Sequence, residues 1–180
     1  MEHDQSYKLL FSHARMVEDL LRGFVHEGWV QRVDFSTLER VTQSFVTDDL
    51  REREDDIIWR VRWGRQRWLY VYLLIEFQST VEWFMAVRLM VYIGLLYQAL
   101  IRSGEIRPGE QLPPVFPLVL YNGRHPWTAP LDVADLMATR PVGLRPYHPR
   151  LRYHVLEERR YGAAALTALQ NLAAALFRRK

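Results

Sequence analysis

The stretch YVYLLIEFQST, residues 70 to 80, constrains this chain more than any other. It runs Tyr, Val, Leu and Ile together without polar alternation and then sets Glu76 and Gln78 at its end. A short apolar run rich in β-favouring residues reads as a strand buried on both faces, so the rest of the chain must supply a layer above it and a layer below. Carboxylates are rare in such surroundings, and Glu76 therefore asks for a reason. The segment DIIWRVRW, residues 56 to 63, precedes it across GRQR, where Gly64 signals a turn. The two segments are expected to form a β-hairpin.

The covering layers come from helical patterns. SYKLLFSHARMVEDLLRGFV spaces Leu10, Val17, Leu21 and Phe24 for one amphipathic helix over about residues 4 to 26. WFMAVRLMVYIGLLYQALI, residues 83 to 101, has the length of a bilayer span and Arg88 as its one charged residue. A central Arg costs roughly 2.5 to 3.5 kcal/mol on insertion, but Arg88 lies nearer one end and can snorkel, so the need of the flanking strands for a cover decides. The segment is read as a core helix over about residues 80 to 102, with no membrane partner. SGEIRPGEQLPP breaks the chain, VFPLVLYNG is a third strand ending in an Asn-Gly turn, and RYHVLEE is a fourth. The run YGAAALTALQNLAAALFRR closes as a helix, while the charged stretch from Trp29 to Asp55 shows no regular period. The expectation is one mixed α/β (α+β) domain: a core over residues 1–140, and residues 141–180 adding a strand and the Ala-rich helix.

Composition narrows the chemistry. Of 180 residues 49% are hydrophobic and 25% charged, which suits a globular chain and excludes wholesale disorder. The formal charge is only +3, and nearly every cation is Arg, since Lys occurs only as Lys8 and Lys180. Guanidinium groups suit phosphates and carboxylates, although Arg enrichment also follows from GC-rich coding. The chain has no Cys, which removes disulfides, thiol nucleophiles and cysteine zinc sites and fits a cytoplasmic location. MEHDQSYKLL lacks the basic and apolar regions of a signal peptide. His13, His26, His125, His148 and His154 form no metal-binding spacing.

Two acids suggest a site. Glu76 and Gln78 are two apart on a strand and share a face. If the hairpin loop holds an odd number of residues, such as Arg65 to Arg67, Asp56 pairs directly with Glu76 and shares that face too. An even loop puts them on opposite faces unless a bulge restores the register. Opposed carboxylates repel, and a divalent cation turns the repulsion into binding. Hard oxygen ligands of this kind suit Mg2+ or Mn2+, with the carboxylates within about 4 to 6 Å of each other.

At these residues the chain resembles a known family. HDQSYKLLF, DDIIWRV, YVYLLIEFQST, RLMVYIGLLYQ and LPPVFPLVLYNGRHPW, in that order over about residues 3 to 137, look like the recombination-promoting nucleases, also called YhgA-like transposases. That group belongs to the PD-(D/E)XK nuclease superfamily. The resemblance implies a restriction-endonuclease-like core, a central mixed sheet flanked by helices, and metal-dependent hydrolysis of DNA phosphodiester bonds. It matches Asp56 to the motif Asp, Glu76 to the second carboxylate and Gln78 to the position held by Lys elsewhere in the superfamily. By the same analogy Asp56, Glu76 and the Phe77 backbone carbonyl hold Mg2+ or Mn2+. His3, Asp4 and Lys8 fit the family's N-terminal motif. Arg88, in an otherwise apolar helix, needs a partner: either Glu76 as a structural ion pair, or the scissile phosphate as a substitute for the missing Lys. Tyr92, one turn on, shares its face. Arg51, Arg53, Arg65, Arg67 and Arg124 are candidates for contact with the DNA backbone. No organic cofactor is implied. A second reading is an inactive DNA-binding or protein-interaction module of the same fold, forming a homodimer through the Ala-rich helix.

Overall fold

The computed structural model describes residues 9–41, 56–64, 67–76, 81–139, 141–162 and 173–174, and only the backbone of Ile75 and Glu76. Its centre is a five-stranded mixed sheet in sequence order. Strands β1 (Val33–Arg40), β2 (Asp56–Trp63) and β3 (Arg67–Glu76) form an antiparallel meander. Strands β4 (Val115–Tyr121) and β5 (His154–Glu157) then add on in parallel. The third strand is therefore where the sheet changes from antiparallel to parallel, and it is laddered on both sides.

Both faces of β3 are buried, as its unbroken apolar run requires. Leu69, Val71 and Leu73 pack on one face with helix α1 (Ala14–Phe24), through Val17, Leu20, Leu21 and Phe24. Tyr70, Tyr72 and Leu74 pack on the other with helix α2 (Met85–Arg102), through Met85, Leu89, Tyr92 and Leu96. By length and composition α2 could cross a bilayer, with mean hydropathy 1.4. Here its apolar side lies on the sheet. The architecture is mixed α/β, a sheet flanked by helices, and is compatible with a restriction-endonuclease-like core.

Three details differ from the sequence reading. Helix α1 starts at Ala14 rather than continuing through, because the helical backbone at Leu9–Phe11 ends at Ser12 and His13. The Ser12 hydroxyl donates to the Leu9 carbonyl there, at 2.6 Å. That competes with continued helix, as Ser side chains do near helix ends. The carbonyl of Phe11 instead accepts the Trp59 indole N–H at 3.2 Å, pinning the segment to β2. Helix α2 begins at Met85, five residues later than expected. Strand β1 was not expected at all. Its alternation breaks at a register shift between Asp34 and Glu39, so the apolar period of Val33 and Phe35 does not carry on to Leu38. Thr37 bridges the irregularity: its hydroxyl donates to the Asp34 carbonyl at 2.6 Å and accepts from the Arg62 N–H at 2.8 Å. Most of the Ala-rich closing segment lies outside the described residues.

The α1 face carries a titratable group. His154 opens β5, with its ring 5.7 Å from that of Phe116. Burial, opposed by Glu27 and aided by His26, holds its pKa below the ordinary histidine value. The unfolded chain therefore takes up this proton first as pH falls below about 6.5, and folding loses stability in that direction. The thermal midpoint should fall more between pH 7.5 and 5.5 for the wild type than for His154→Gln. Equal falls would show that His154 contributes nothing to the pH dependence.

Candidate active site

The hairpin register decides what can meet Asp56. Trp63 pairs with Arg67 and Asp56 pairs with Leu74. The connection is the odd three-residue loop Gly64 to Gln66, with Gly64 at φ 64°, a left-handed conformation that glycine adopts without strain. Direct pairing of Asp56 with Glu76 is thus corrected: the loop is centred one residue earlier than the sequence reading had it. Parity is unaffected by that shift. Glu76 occupies the next position of the same parity as Leu74, diagonal to Asp56, and pairs across β4 with Tyr121.

Asp56 is half-buried at the start of β2, on the face covered by α2. Its Oδ2 accepts a hydrogen bond from the Tyr72 hydroxyl at 2.6 Å. Tyr72 is fully buried, and its ring lies nearly parallel to that of Tyr92, with centroids 6.1 Å apart and planes at 16°. The Arg88 guanidinium lies 5.7 Å from the Tyr92 ring centre. Burial first, then the Asp56 charge and the bond to it, push the Tyr72 phenol far above its ordinary range, and Arg88 pulls the other way. Tyr72 is consequently a permanent donor and no acid or base. Its role is to fix the orientation of the Asp56 carboxylate.

Of the sequence-derived candidates, the structure gathers Asp56, Arg88 and Tyr92 in one place. Tyr72 joins them and was missed. The signal lay in the strand pattern: a Tyr on a doubly buried strand needs a partner for its hydroxyl, and Tyr72 shares parity with Glu76. Arg124 is exposed in the loop that follows Tyr121, at the same end of the sheet. Arg67 is not brought to Asp56. It sits at the hairpin end of β3, roughly 20 Å or more away at the rise of a strand, with its guanidinium 5.8 Å from the Trp63 ring. His3, Asp4, Lys8, Arg51, Arg53, Arg65, Phe77 and Gln78 lie outside the described residues, as does the Glu76 side chain, and with it the distance between the two carboxylates. Among the described residues no three acids or imidazoles cluster as a metal site.

The wall beside Glu76 is aromatic. Tyr121 is buried edge-on to Trp127 at 5.0 Å, and a Cβ at Gly123 would overlap its hydroxyl. Glu157, level with Tyr121 on β5, is a further buried carboxylate. It accepts from the Trp127 N–H at 3.1 Å and pairs with Arg159 at 3.1 Å and Arg160 at 2.6 Å, so its charge is already compensated. A cavity of about 670 Å³, lined by Trp63, Trp68, Tyr97 and Pro113 among others, lies at the opposite, hairpin end of the sheet. Chemistry rather than volume therefore marks the Asp56 end.

The sequence profile of the family described as "Putative transposase, YhgA-like" matches residues 1–175. The chain belongs to this family. Within the YhgA-like family it is 32% identical over 129 residues to "Recombination-promoting nuclease RpnD" of Escherichia coli O157:H7, covering 70% of this chain and 48% of that protein. It is 34% identical over 121 residues to "Recombination-promoting nuclease RpnA" of Escherichia coli strain K12, covering 67% and 40%. It is 29% identical over 121 residues to "Inactive recombination-promoting nuclease-like protein RpnE" of the same strain, covering 67% and 39%. The chain spans less than half the length of these three relatives. No solved structure matches it.

The Tyr72 to Asp56 bond is open to a double-mutant cycle. Tyr72→Phe should cost about 1.5 to 3 kcal/mol in urea unfolding, the range for a hydrogen bond to a charged group. The total stability change of the Tyr72→Phe/Asp56→Asn double mutant should then differ from the sum of the two single effects by at least about 0.5 kcal/mol. Additive effects would mean that the two groups do not interact.

Proposed function

We propose that this chain is a Mg2+- or Mn2+-dependent endonuclease that hydrolyses DNA phosphodiester bonds, with Asp56 and Glu76 as carboxylate ligands and the Phe77 carbonyl as a third. One observation carries the reading: a carboxylate held by a buried phenol stands at the end of the sheet where the neighbouring strand delivers Glu76, and α2 brings Arg88 to the same place. The naming of family relatives as recombination-promoting nucleases supports it.

The donor set suits the ion. Two carboxylates on adjacent strands are hard ligands of the number that Mg2+ takes from protein, and an outer hydrogen bond such as that from Tyr72 orients a ligand before the metal arrives. When bound, the metal lowers the pKa of a coordinated water and offsets charge on the phosphate. The remaining work falls to the chain's own groups. Tyr72 keeps the Asp56 carboxylate from rotating. Gln78, neutral where relatives in the superfamily carry Lys, exchanges hydrogen bonds with Glu76 or with the attacking water. Arg88 supplies the positive charge that Gln78 lacks, and Tyr92 positions it. His3, Asp4 and Lys8 would complete the rim, and Arg51, Arg53 and Arg124, with Arg65 and Arg67 at the far, hairpin end, would meet the DNA backbone. A cytoplasmic setting would suit a DNA substrate and a chain without Cys.

A second reading has one finding in its favour: family relatives of comparable similarity are named inactive. The chain would then bind DNA or a partner protein without cutting. Plasmid nicking separates the two. The purified chain should nick supercoiled DNA with Mg2+ or Mn2+ and stop on addition of EDTA. Asp56→Asn and Glu76→Gln should each abolish nicking while the protein remains folded, and variants that cut at the wild-type rate would remove the assignment. Arg88→Ala should lower turnover by more than it weakens DNA binding, because a group at the scissile phosphate acts mainly in the transition state. A folded Arg88→Ala protein with normal turnover would leave Arg88 with no catalytic part.

A further inference from the structure

The segment from Pro141 to Arg152 leaves the body of the domain and returns to it at β5. Its root is fixed on the α2 face: the Val133 N–H donates to the Leu151 carbonyl at 3.0 Å, the Tyr153 N–H donates to the Leu131 carbonyl at 3.0 Å, and Asp132 bridges to Arg152. Leu151 and Tyr153 join the apolar cluster that holds Tyr72 and Leu74. Beyond that root nearly every side chain is exposed.

What the segment exposes is unusual. Val142 is fully exposed, Tyr147 is 83% exposed and Leu144 is 43% exposed, within six residues of one another. Large apolar side chains so close together at the surface mark a contact site more often than chance. Between them and around them stand Arg145, Arg150 and Arg152, all exposed, and His148. No Asp or Glu occurs from Leu136 through Leu156, while the same span holds four Arg and two His. Among the described residues no carboxylate pairs with Arg145, Arg150 or Arg152. The segment is also shaped in advance. Gly143 sits at φ 92°, and Pro141, Pro146 and Pro149 fix φ at their positions. Successive turns close through Leu144 to Pro141, Tyr147 to Leu144 and His148 to Arg145.

We infer that residues 141–152 form a nucleic-acid docking arm, in which Arg145 and Arg150 meet DNA phosphates and Tyr147 and Leu144 pack against sugar or base. The partner is chosen by charge: a span of basic residues without a single acid complements a polyanion, and apolar side chains alone would not select one. The position agrees. Val155 of β5 is level with Val119, Leu74 and Asp56. The root of the arm is thus three strand spacings across and a few residues down from Asp56, roughly 15 to 20 Å, or about five base steps of a duplex. An arm at that distance on the same face holds a duplex whose scissile phosphate lies at Asp56. The inference deepens the nuclease reading and rests on it.

The test uses the full chain and a fluorescein-labelled 20-base-pair duplex in EDTA, so that binding is read without cleavage. Anisotropy titrations between 50 and 200 mM salt should show Arg145→Ser/Arg150→Ser binding about tenfold more weakly than wild type at 100 mM. The slope of log Kd against log salt should be shallower by about 1.8, the release expected for two lost phosphate contacts. Tyr147→Ala should weaken binding and leave the slope unchanged. Arg32→Ser/Arg107→Ser, the same charge change at exposed sites elsewhere, should match the wild type within about twofold in Kd and in slope. All variants should keep the wild-type thermal midpoint within a few degrees, because the substituted side chains are exposed. If the wild type binds and nicks DNA and the arm variant does so equally well, the arm is overturned and the nuclease reading stands. If the wild type nicks nothing yet the arm variant loses DNA binding, the arm stands and the nuclease reading falls. A wild type that neither binds nor cuts overturns both. A change of oligomeric state in sedimentation with unchanged DNA affinity would make the segment a protein interface instead, and would likewise overturn the inference.

Discussion

The constraint on which this structure depends is that β3 has no solvent face. Its unbroken apolar run has to be covered twice, and both helices are placed by that need, α1 over Leu69, Val71 and Leu73 and α2 over Tyr70, Tyr72 and Leu74. Backbone polar groups on both edges must be satisfied as well, which is why the strand is laddered to β2 on one side and β4 on the other. A strand in that position can carry a carboxylate only at its end.

Burial also explains how the candidate site is built. An aspartate near an apolar layer is costly unless its oxygens are occupied, and Tyr72 meets that cost from inside the core rather than from solvent. The same hydroxyl would be costly without Asp56. The two groups thus stabilise each other, and Tyr92 and Arg88 continue the contact into α2. In this way helix packing on the sheet becomes orientation of a carboxylate. A substitution under α2 can then reach Asp56 without touching it.

Much of this was legible in the residues. The double burial of β3, the hairpin, the cover helix with Arg88 and the third and fourth strand segments all follow from period, length and turn signals, whereas the parallel direction of β4 and β5 does not. Strand β1 was not legible, because its register shift between Asp34 and Glu39 destroys the alternation by which strands are recognised. The start of α1 was obscured for a related reason: Leu10 is apolar and correctly spaced, yet the turn ends at Ser12, whose hydroxyl bonds the Leu9 carbonyl, while the Phe11 carbonyl is taken by Trp59. At the site, shared parity for Asp56 and Glu76 could be read from an odd loop, but the residue on which the loop is centred could not. That single residue decides whether Asp56 faces Glu76 or Leu74. Tyr72 was in plain view and went unassigned because an aromatic on a buried strand reads as packing until the partner of its hydroxyl is known.

The register has a mechanical side. Asp56 belongs to the antiparallel meander, whereas Glu76, past the last described pairing with β2, is laddered to Tyr121 of the parallel half. The two acids are therefore mounted on different halves of one sheet, joined through β3. A shear or added twist between those halves would alter the gap between them as a vernier displaces two scales, with little change inside either half. Anything that grips both halves at once would set the spacing between the positions of Asp56 and Glu76.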